Sequence, residues 1–387
     1  MDDVSLDAGR ALNIDPIPSQ GLHEHRQQRE LADESASDSL YRFWLFSPPK
    51  PTEAATTPET DSALEQSYND KIRELLNAKL THGSVTNMSY VQLRDGHKMP
   101  VLALGTALLD PRLAKHIVAS AIDLGFRAID TAFIYGTEKE VGEGIRAKIQ
   151  DGTVKREELF IMSKLWSTFH KPELVEPACR ASLAALGLEY FDLFMIHNPM
   201  SFKEGNDPLP KIANVLQFSS YEYLDAWFAM EGLVSKGLVR SVGVSNFNSE
   251  QVARVVEKGR LKPVVDQVEC HPYMSQQRLS EFCDARDVRL SCFGTLGSKG
   301  TPAELKASQA AAIDDPLVQV MAAGLGITPA QLLIRYQIEC GHNVVVKASS
   351  AAHQWDVLRA LGASLAPAQV AALHALNGNK RAFTFKG

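Results

Sequence analysis

The sequence predicts an α/β fold, a (β/α)8 barrel of the TIM type with an N-terminal β-hairpin at its base. Three observations predict it. From Tyr90 onward, short apolar runs alternate with runs of helical periodicity, and the alternation repeats eight times over roughly 300 residues. The apolar runs are almost unbroken, as in strands buried on both faces of a parallel sheet. No Gly-x-Gly-x-x-Gly follows the first run, so the phosphate-binding turn of an open doubly wound sheet is missing.

The elements follow in order. Residues 90–93 and 97–101 flank Asp95-Gly96, a pair suited to the turn of a two-stranded hairpin. Strands are expected at 101–106, 128–133, 159–165, 190–197, 241–245, 264–270, 289–293 and 343–347. The first leads to a helix ending near Gly125, with Ile117, Ala121 and Leu124 at helical spacing. Helices at 139–149, 172–186, 221–236, 249–256, 276–285, 329–338 and 352–361 follow the others. A long loop precedes the fourth helix, and an irregular stretch precedes the seventh.

Residues 1–88 stand apart from the domain at 89–387. They are acidic, low in complexity and poor in apolar periodicity, the composition of a mostly disordered extension. An aromatic cluster at 41–46 and a helical pattern at 62–80 interrupt them. A docking tail would use that cluster as its anchor; a variable extension that packs loosely is the expectation.

The chain carries a net charge of −6. Residues 1–88 hold 8 Lys and Arg against 15 Asp and Glu, a net of −7, which leaves +1 for the remainder. Nucleic acid is therefore not an expected partner. Five scattered cysteines without a Cys-x-x-Cys pair fit reduced thiols in a cytoplasmic protein. The acidic N-terminus does not resemble a signal peptide, and no apolar run is long enough to span a bilayer. A cytosolic monomer with no membrane partner is expected.

In such a barrel the chemistry collects where strands run into the loops at their C-terminal ends. Those ends carry Asp130 and Tyr135 after the second strand, Lys164 on the third and His197 after the fourth. Each has an ordinary structural explanation alone. Together they would be costly to desolvate without a role. A phenol is a weak acid, with an ordinary pKa near about 10. A Lys ammonium beside it is expected to lower that value, with Asp130 holding the Lys in place and His197 directing a substrate oxygen. This set donates a proton and stabilises an oxyanion. It has no nucleophile, and no metal-ligand spacing accompanies it, so the electron pair is expected from a hydride cofactor.

The motifs GFRAIDTAFIYG (125–136), FIMSKLW (160–166), FDLFMIHNP (191–199), GLVRSVGVSNFN (237–248) and PVVDQVECHPY (263–273) resemble those of the aldo-keto reductase superfamily, in the right order. The resemblance runs from about Tyr90 to Phe385 and includes the hairpin at the barrel base. It implies NADPH-dependent reduction of an aldehyde or ketone, with NADH not excluded. Tyr135 would be the general acid, supported by Lys164 and Asp130, with His197 orienting the carbonyl. Ser245, Asn246 and Gln267 match the residues that hold the nicotinamide carboxamide, and Thr106 and Asp130 lie with them.

The cofactor half departs from the family. Phe293-Gly294-Thr295-Leu296-Gly297-Ser298 stands where a Tyr-Ser-Pro-Leu-Gly-Ser run is usual, with Phe293 left to stack and Leu296 and Ser298 beside the pyrophosphate. Lys347 keeps the place of a phosphate partner. His353 replaces an Arg that faces the 2′-phosphate, and Asp356-Val357 replaces a Glu-Asn pair. On the substrate side, Ala107 and Asn198 take positions where aromatic residues are common, leaving Trp166, Phe202 and Phe218 as candidate walls with His197. The short tail from Arg381 is expected to cover less of the pocket. A roomier carbonyl site follows. A second reading, a barrel that binds cofactor as a sensor with little turnover, would rest on the altered phosphate contacts.

Overall fold

The computed structural model describes residues 88–297 and 311–383, together with Asp70, Lys71 and Glu74. The aromatic cluster at 41–46, Ser298 and, apart from those three helical positions, the helix expected at 62–80 lie outside the described residues.

Strands β1 (Tyr90–Gln92) and β2 (Lys98–Pro100) pair antiparallel, with Tyr90 opposite Pro100. Gly96 turns the chain at a φ of 93°, in the left-handed region that glycine enters without steric cost. Its N–H donates to Leu93 O at 3.1 Å, and Leu93 N–H donates to His97 O at 2.9 Å. Leu93 and Met99 then bury against Ala128, Phe160, Val264 and Val265, the residues that begin barrel strands. The hairpin is a plug for the base.

The barrel strands are β3 (Leu102–Gly105), β4 (Ala128–Asp130), β5 (Phe160–Leu165), β6 (Phe191–Ile196), β9 (Val239–Ser245), β10 (Val265–Glu269), β11 (Arg289–Phe293) and β12 (Asn343–Val346). All pair parallel in that order, and β12 returns to β3 with Val345 opposite Ala103, closing the sheet. Between β6 and β9 a small hairpin, β7 (Lys211–Ile212) and β8 (Val215–Leu216), stands out on the loop.

Helices α1 (Pro111–Leu124), α2 (Glu138–Gln150), α3 (Pro172–Leu186), α4 (Tyr223–Ser235), α5 (Ser249–Lys258) and α6 (Gln277–Asp284) alternate with the strands. After β11 come α7 (Pro316–Leu325) and α8 (Pro329–Glu339), and after β12 come α9 (Ala351–Arg359) and α10 (Pro367–His374). The helix layer is tight where α2 meets its neighbours. A Cβ on Gly142 would sit 2.2 Å from Leu186 O, and one on Gly144 2.5 Å from Lys115 O. Only hydrogen at both positions lets α1, α2 and α3 close on the barrel.

Two expectations need correction. The stretch before residue 329 is not wholly irregular, since it holds α7. Asp315 and Pro316 start that helix, Oδ1 of Asp315 accepting the Leu317 N–H at 2.8 Å. The second barrel strand stops at Asp130 instead of running to 133. Phe133–Tyr135 form a 3-10 turn closed by Gly136 at a φ of 67°. Among the described residues no single helix is long and apolar enough to cross a membrane; α7 and α8 reach that length only together and meet at 92°.

Candidate active site

That 3-10 turn matters for the chemistry. A strand continued to residue 133 would carry Tyr135 away from the barrel, whereas the turn brings its phenol back over the end of β4. Thr106, buried after β3, fixes the level of the site: its Oγ1 donates to Asp130 O at 2.9 Å and its N–H to the same oxygen at 3.0 Å. Asp130 therefore meets the mouth with a rigid backbone.

Lys164 enters from β5 and is 1% exposed. Its Nζ donates to Asp130 Oδ1 at 2.6 Å, to Thr131 O at 3.1 Å and to Tyr135 OH at 3.3 Å, which engages all three ammonium hydrogens. The other Asp130 oxygen, Oδ2, accepts Gln267 Nε2 at 2.9 Å. One carboxylate thus joins the proton-donating set to the residues expected to hold cofactor.

His197 closes the other side. Its ring meets Tyr135 edge-on at 5.8 Å between centroids and Trp166 at 5.3 Å. Asn246 follows β9 at a φ of 64°, a conformation asparagine tolerates, and its Nδ2 donates to His197 O at 2.9 Å and Ser245 Oγ at 3.2 Å. Ser245 Oγ in turn donates to Gln267 O at 2.7 Å. These bonds make Ser245, Asn246 and Gln267 one plate across the ends of β9 and β10.

Burial sets the protonation states. It pushes the Tyr135 phenol well above its usual value, and the Asp130 carboxylate pushes the same way. The expected lowering by Lys164 is therefore corrected: the Lys charge is compensated by Asp130, and desolvation of a phenolate prevails. Burial also lowers Lys164, against the pull of Asp130. His197 is held well below the usual imidazole range by burial and by the Lys164 ammonium, so its ring is neutral.

A cavity of about 420 Å³ lies over this set. Asp130, Tyr135, His197, Ser245, Asn246, Gln267, Phe293, Leu296, Lys347, His353 and Ala107 all line it. Lys164 and Thr106 lie directly beneath. Trp166 and Asn198 are not brought to its wall. Trp166 is fully buried, donates from Nε1 to Pro208 O at 2.8 Å, and packs with Phe202, Leu209 and Leu216 in a separate cluster behind His197. Asn198 is 1% exposed, and its amide has no partner among the described residues.

The chain belongs to the aldo-keto reductase family. The model of the Aldo/keto reductase family matches residues 101–378. Over 295 residues the chain is 40% identical to the cattle (Bos taurus) protein aldo-keto reductase family 1 member A1, covering 76% of this chain and 90% of that one. The human protein of that name is 39% identical over the same shares. Mouse estradiol 17 beta-dehydrogenase 5 is 41% identical over 75% of this chain and 92% of its own length. Membership makes this protein an oxidoreductase acting on carbonyl and CH–OH groups with a nicotinamide cofactor, NAD(P)H.

The cavity fits that cofactor. The Phe293 ring offers a stacking face at the catalytic end, beside the plate of hydroxyl and amide groups. The Thr295 hydroxyl is buried without a partner among the described residues and lines the cavity beside Leu296. At the far end Lys347 and His353 line the cavity; Lys347 Nζ donates to Leu108 O at 3.0 Å, and at the start of α9 Ser350 Oγ accepts the His353 N–H at 3.2 Å. Asp356 does not reach the cavity: α8 takes its carboxylate through Thr328 Oγ1 at 2.9 Å and Gln331 Nε2 at 2.7 Å.

Four features escaped sequence reasoning. Thr295 carried no signal beyond its place beside Leu296. Phe383 lines the cavity although the tail was expected to contribute little. Glu138, buried at the start of α2, accepts Ser163 Oγ at 2.8 Å beside Lys164. Cys270, Cys292 and His342 come within 4.8 Å of one another. All three meet Gln337 Oε1, at 3.5, 3.6 and 2.7 Å, and the second His342 nitrogen meets Ser280 Oγ at 2.9 Å. With both imidazole nitrogens engaged, this cluster is a hydrogen-bonded tie between β10, β11 and α8.

Proposed function

We propose that the protein reduces aldehydes and ketones to alcohols with NADPH, Tyr135 serving as general acid. The carrying observation is the position of Lys164 Nζ between Asp130 Oδ1 and Tyr135 OH, at 2.6 and 3.3 Å. When bound, the cofactor supplies a hydride to the carbonyl carbon. The residues of the chain do the remainder. The neutral His197 ring and the Tyr135 hydroxyl converge on the carbonyl oxygen and orient it. As negative charge develops on that oxygen, Tyr135 gives up its proton, and the Lys164 ammonium stabilises the phenolate left behind. A raised phenol pKa does not prevent this step, because an alkoxide is a far stronger base than a phenolate. Burial keeps the proton in place until that base forms.

Lys347 at the far end of the cavity supports NADPH over NADH, since a cation favours the additional phosphate. The name of the mouse relative puts ring ketones beside aldehydes in the substrate panel. The test is Tyr135→Phe. Consumption of NADPH with aromatic aldehydes should fall at least about a hundredfold, the usual scale for a lost general acid. Cofactor affinity, followed by fluorescence quenching, should stay within about twofold, because no charge is removed. Turnover like that of the unaltered protein would sink the assignment.

A further inference from the structure

The proton-donating set leaves one nearby buried carboxylate unused, that of Glu138. It is 6% exposed and opens α2, three residues beyond Tyr135. A carboxylate in the first turn of a helix suits the macrodipole, which explains a Glu there but not its burial. The burial follows from its partners. Glu138 Oε1 accepts Ser163 Oγ at 2.8 Å, and Ser163 immediately precedes Lys164 on β5. Successive strand residues face opposite ways, so Lys164 enters the barrel while Ser163 meets α2 on the outside. The Ser182 hydroxyl of α3 bonds to the same carboxyl. Burial raises the Glu138 pKa; those hydroxyls, and then the Lys164 charge, oppose it.

The Glu138–Ser163 contact joins two elements that the chemistry needs in register. Backbone pairing of β4 with β5 ends at Asp130 opposite Met162, and the Thr131 N–H donates to Met162 O at 3.0 Å. Tyr135 lies four residues further on, in a turn closed by Gly136 at a φ of 67°. A side chain on such a turn is placed by what holds both of its ends. β4 holds one end, and the bond from Ser163 to Glu138 ties the other to β5. We propose that Glu138 is a positioning residue for the proton transfer: through Ser163 it fixes the turn carrying Tyr135 to the strand carrying Lys164. The proposal rests on the reductase reading and deepens it. The 3.3 Å between Tyr135 OH and Lys164 Nζ is then set by two anchors. Its precision matters, since a misplacement of about 1 Å can cost about a hundredfold in rate.

The test compares Glu138→Ala, Ser163→Ala, their double variant and Glu138→Gln. In single turnovers with NADPH and an aromatic aldehyde, each alanine variant should lower the limiting rate of reduction about tenfold. The half-saturating aldehyde concentration and the NADPH affinity should stay within about twofold, because His197, Ser245, Asn246 and Gln267 are untouched. The double variant should be no slower than either single one, because both remove the same tie. Glu138→Gln keeps an acceptor for the Ser163 hydroxyl and should remain within about threefold of the unaltered rate. The solvent isotope effect on the limiting rate should rise in the alanine variants and not in Glu138→Gln, because a displaced phenol slows the proton transfer itself. A purely structural role would lower the melting temperature and leave that isotope effect unchanged, a result that overturns the proposal. So do an unchanged rate in Ser163→Ala, multiplying losses in the double variant, or a Gln variant as slow as the Ala one. If Glu138→Ala does not fold, Ser163→Ala and Glu138→Gln decide alone. No turnover of any carbonyl by the unaltered protein would instead overturn the reductase reading, so the two failures are distinguishable.

Discussion

Asp130 binds two neighbours at once, and that division organises the chemistry at the scale of residues. Its bond to Lys164 holds an ammonium below the Tyr135 hydroxyl, while its bond to Gln267 stiffens the plate beside Phe293. Because burial raises Tyr135 above 10.0 and holds His197 below 6.5, neither group changes protonation between pH 6 and 8. The proposed reduction needs the phenol protonated, which is satisfied below its pKa, and the imidazole neutral, which is satisfied above its own. The rate constant for reduction should therefore vary less than about twofold over that range. An acid limb centred near 6.5 in kcat against pH would show a titrating His197 and contradict this. At the other end of the cavity, Lys347 lines the wall with His353. Lys347→Met should weaken NADPH about 10- to 100-fold, the worth of one charge-assisted contact, and NADH much less. Equal losses for both cofactors in a binding titration would remove Lys347 from the 2′-phosphate.

At the scale of elements, β10 combines function with a liability. Gln267 and Glu269 face the mouth, while Asp266, between Val265 and Gln267, is fully buried with no side-chain hydrogen-bond partner among the described residues. Burial pushes its carboxyl well above the ordinary range, and a backbone contact at Phe247 opposes this only in part. The folded state therefore keeps a proton that the unfolded chain releases above about pH 4. Stability is present below that pH and declines as pH rises toward the folded pKa, at up to about 1.4 kcal/mol per unit. Asp266→Asn removes the titration, so its melting temperature at pH 8 should exceed that of the unaltered protein, with a smaller gap at pH 5. A lower melting temperature at both pH values would show that the carboxylate is stabilising.

The same elements show what was legible in sequence. Eight strands and their helices stood out because both faces of a barrel strand are apolar and each helix has one apolar stripe. Asp130, Tyr135, Lys164 and His197 stood out because polar residues ending apolar runs have few ordinary explanations. The direction of the Tyr135 shift did not, since it is set first by the burial of the phenol in the folded barrel and then by the Asp130 carboxylate beside it. Glu269 and Phe383, 114 residues apart, likewise meet only when the tail folds back. Trp166 shows the converse: an aromatic residue beside the catalytic strand reads as a pocket wall, yet the loop carrying Phe202 and Leu216 buries it.

For the whole molecule, the two ends of the barrel divide stability from chemistry. The mouth holds the groups of the proposed reaction, while the base is sealed by a plug whose apolar part includes Met99, 0% exposed against Phe160 and Val264. Of the residues in that apolar cluster only Val345, the third residue of β12, also lines the cavity. Met99→Ala should thus cost about 2–5 kcal/mol through lost burial and the void left behind. For a domain of this size that corresponds to a fall of roughly 5–15 °C in melting temperature. The barrel wall between base and mouth is a closed set of parallel ladders, so the loss should not travel upward. At 25 °C the variant's kcat/KM for an aromatic aldehyde should remain within about twofold of the unaltered value, as conservation of the upper layer requires. Thermal unfolding and steady-state kinetics on one preparation measure both quantities. A drop in kcat/KM that tracks the drop in stability would mean that the plug also sets the geometry of Asp130 and Lys164.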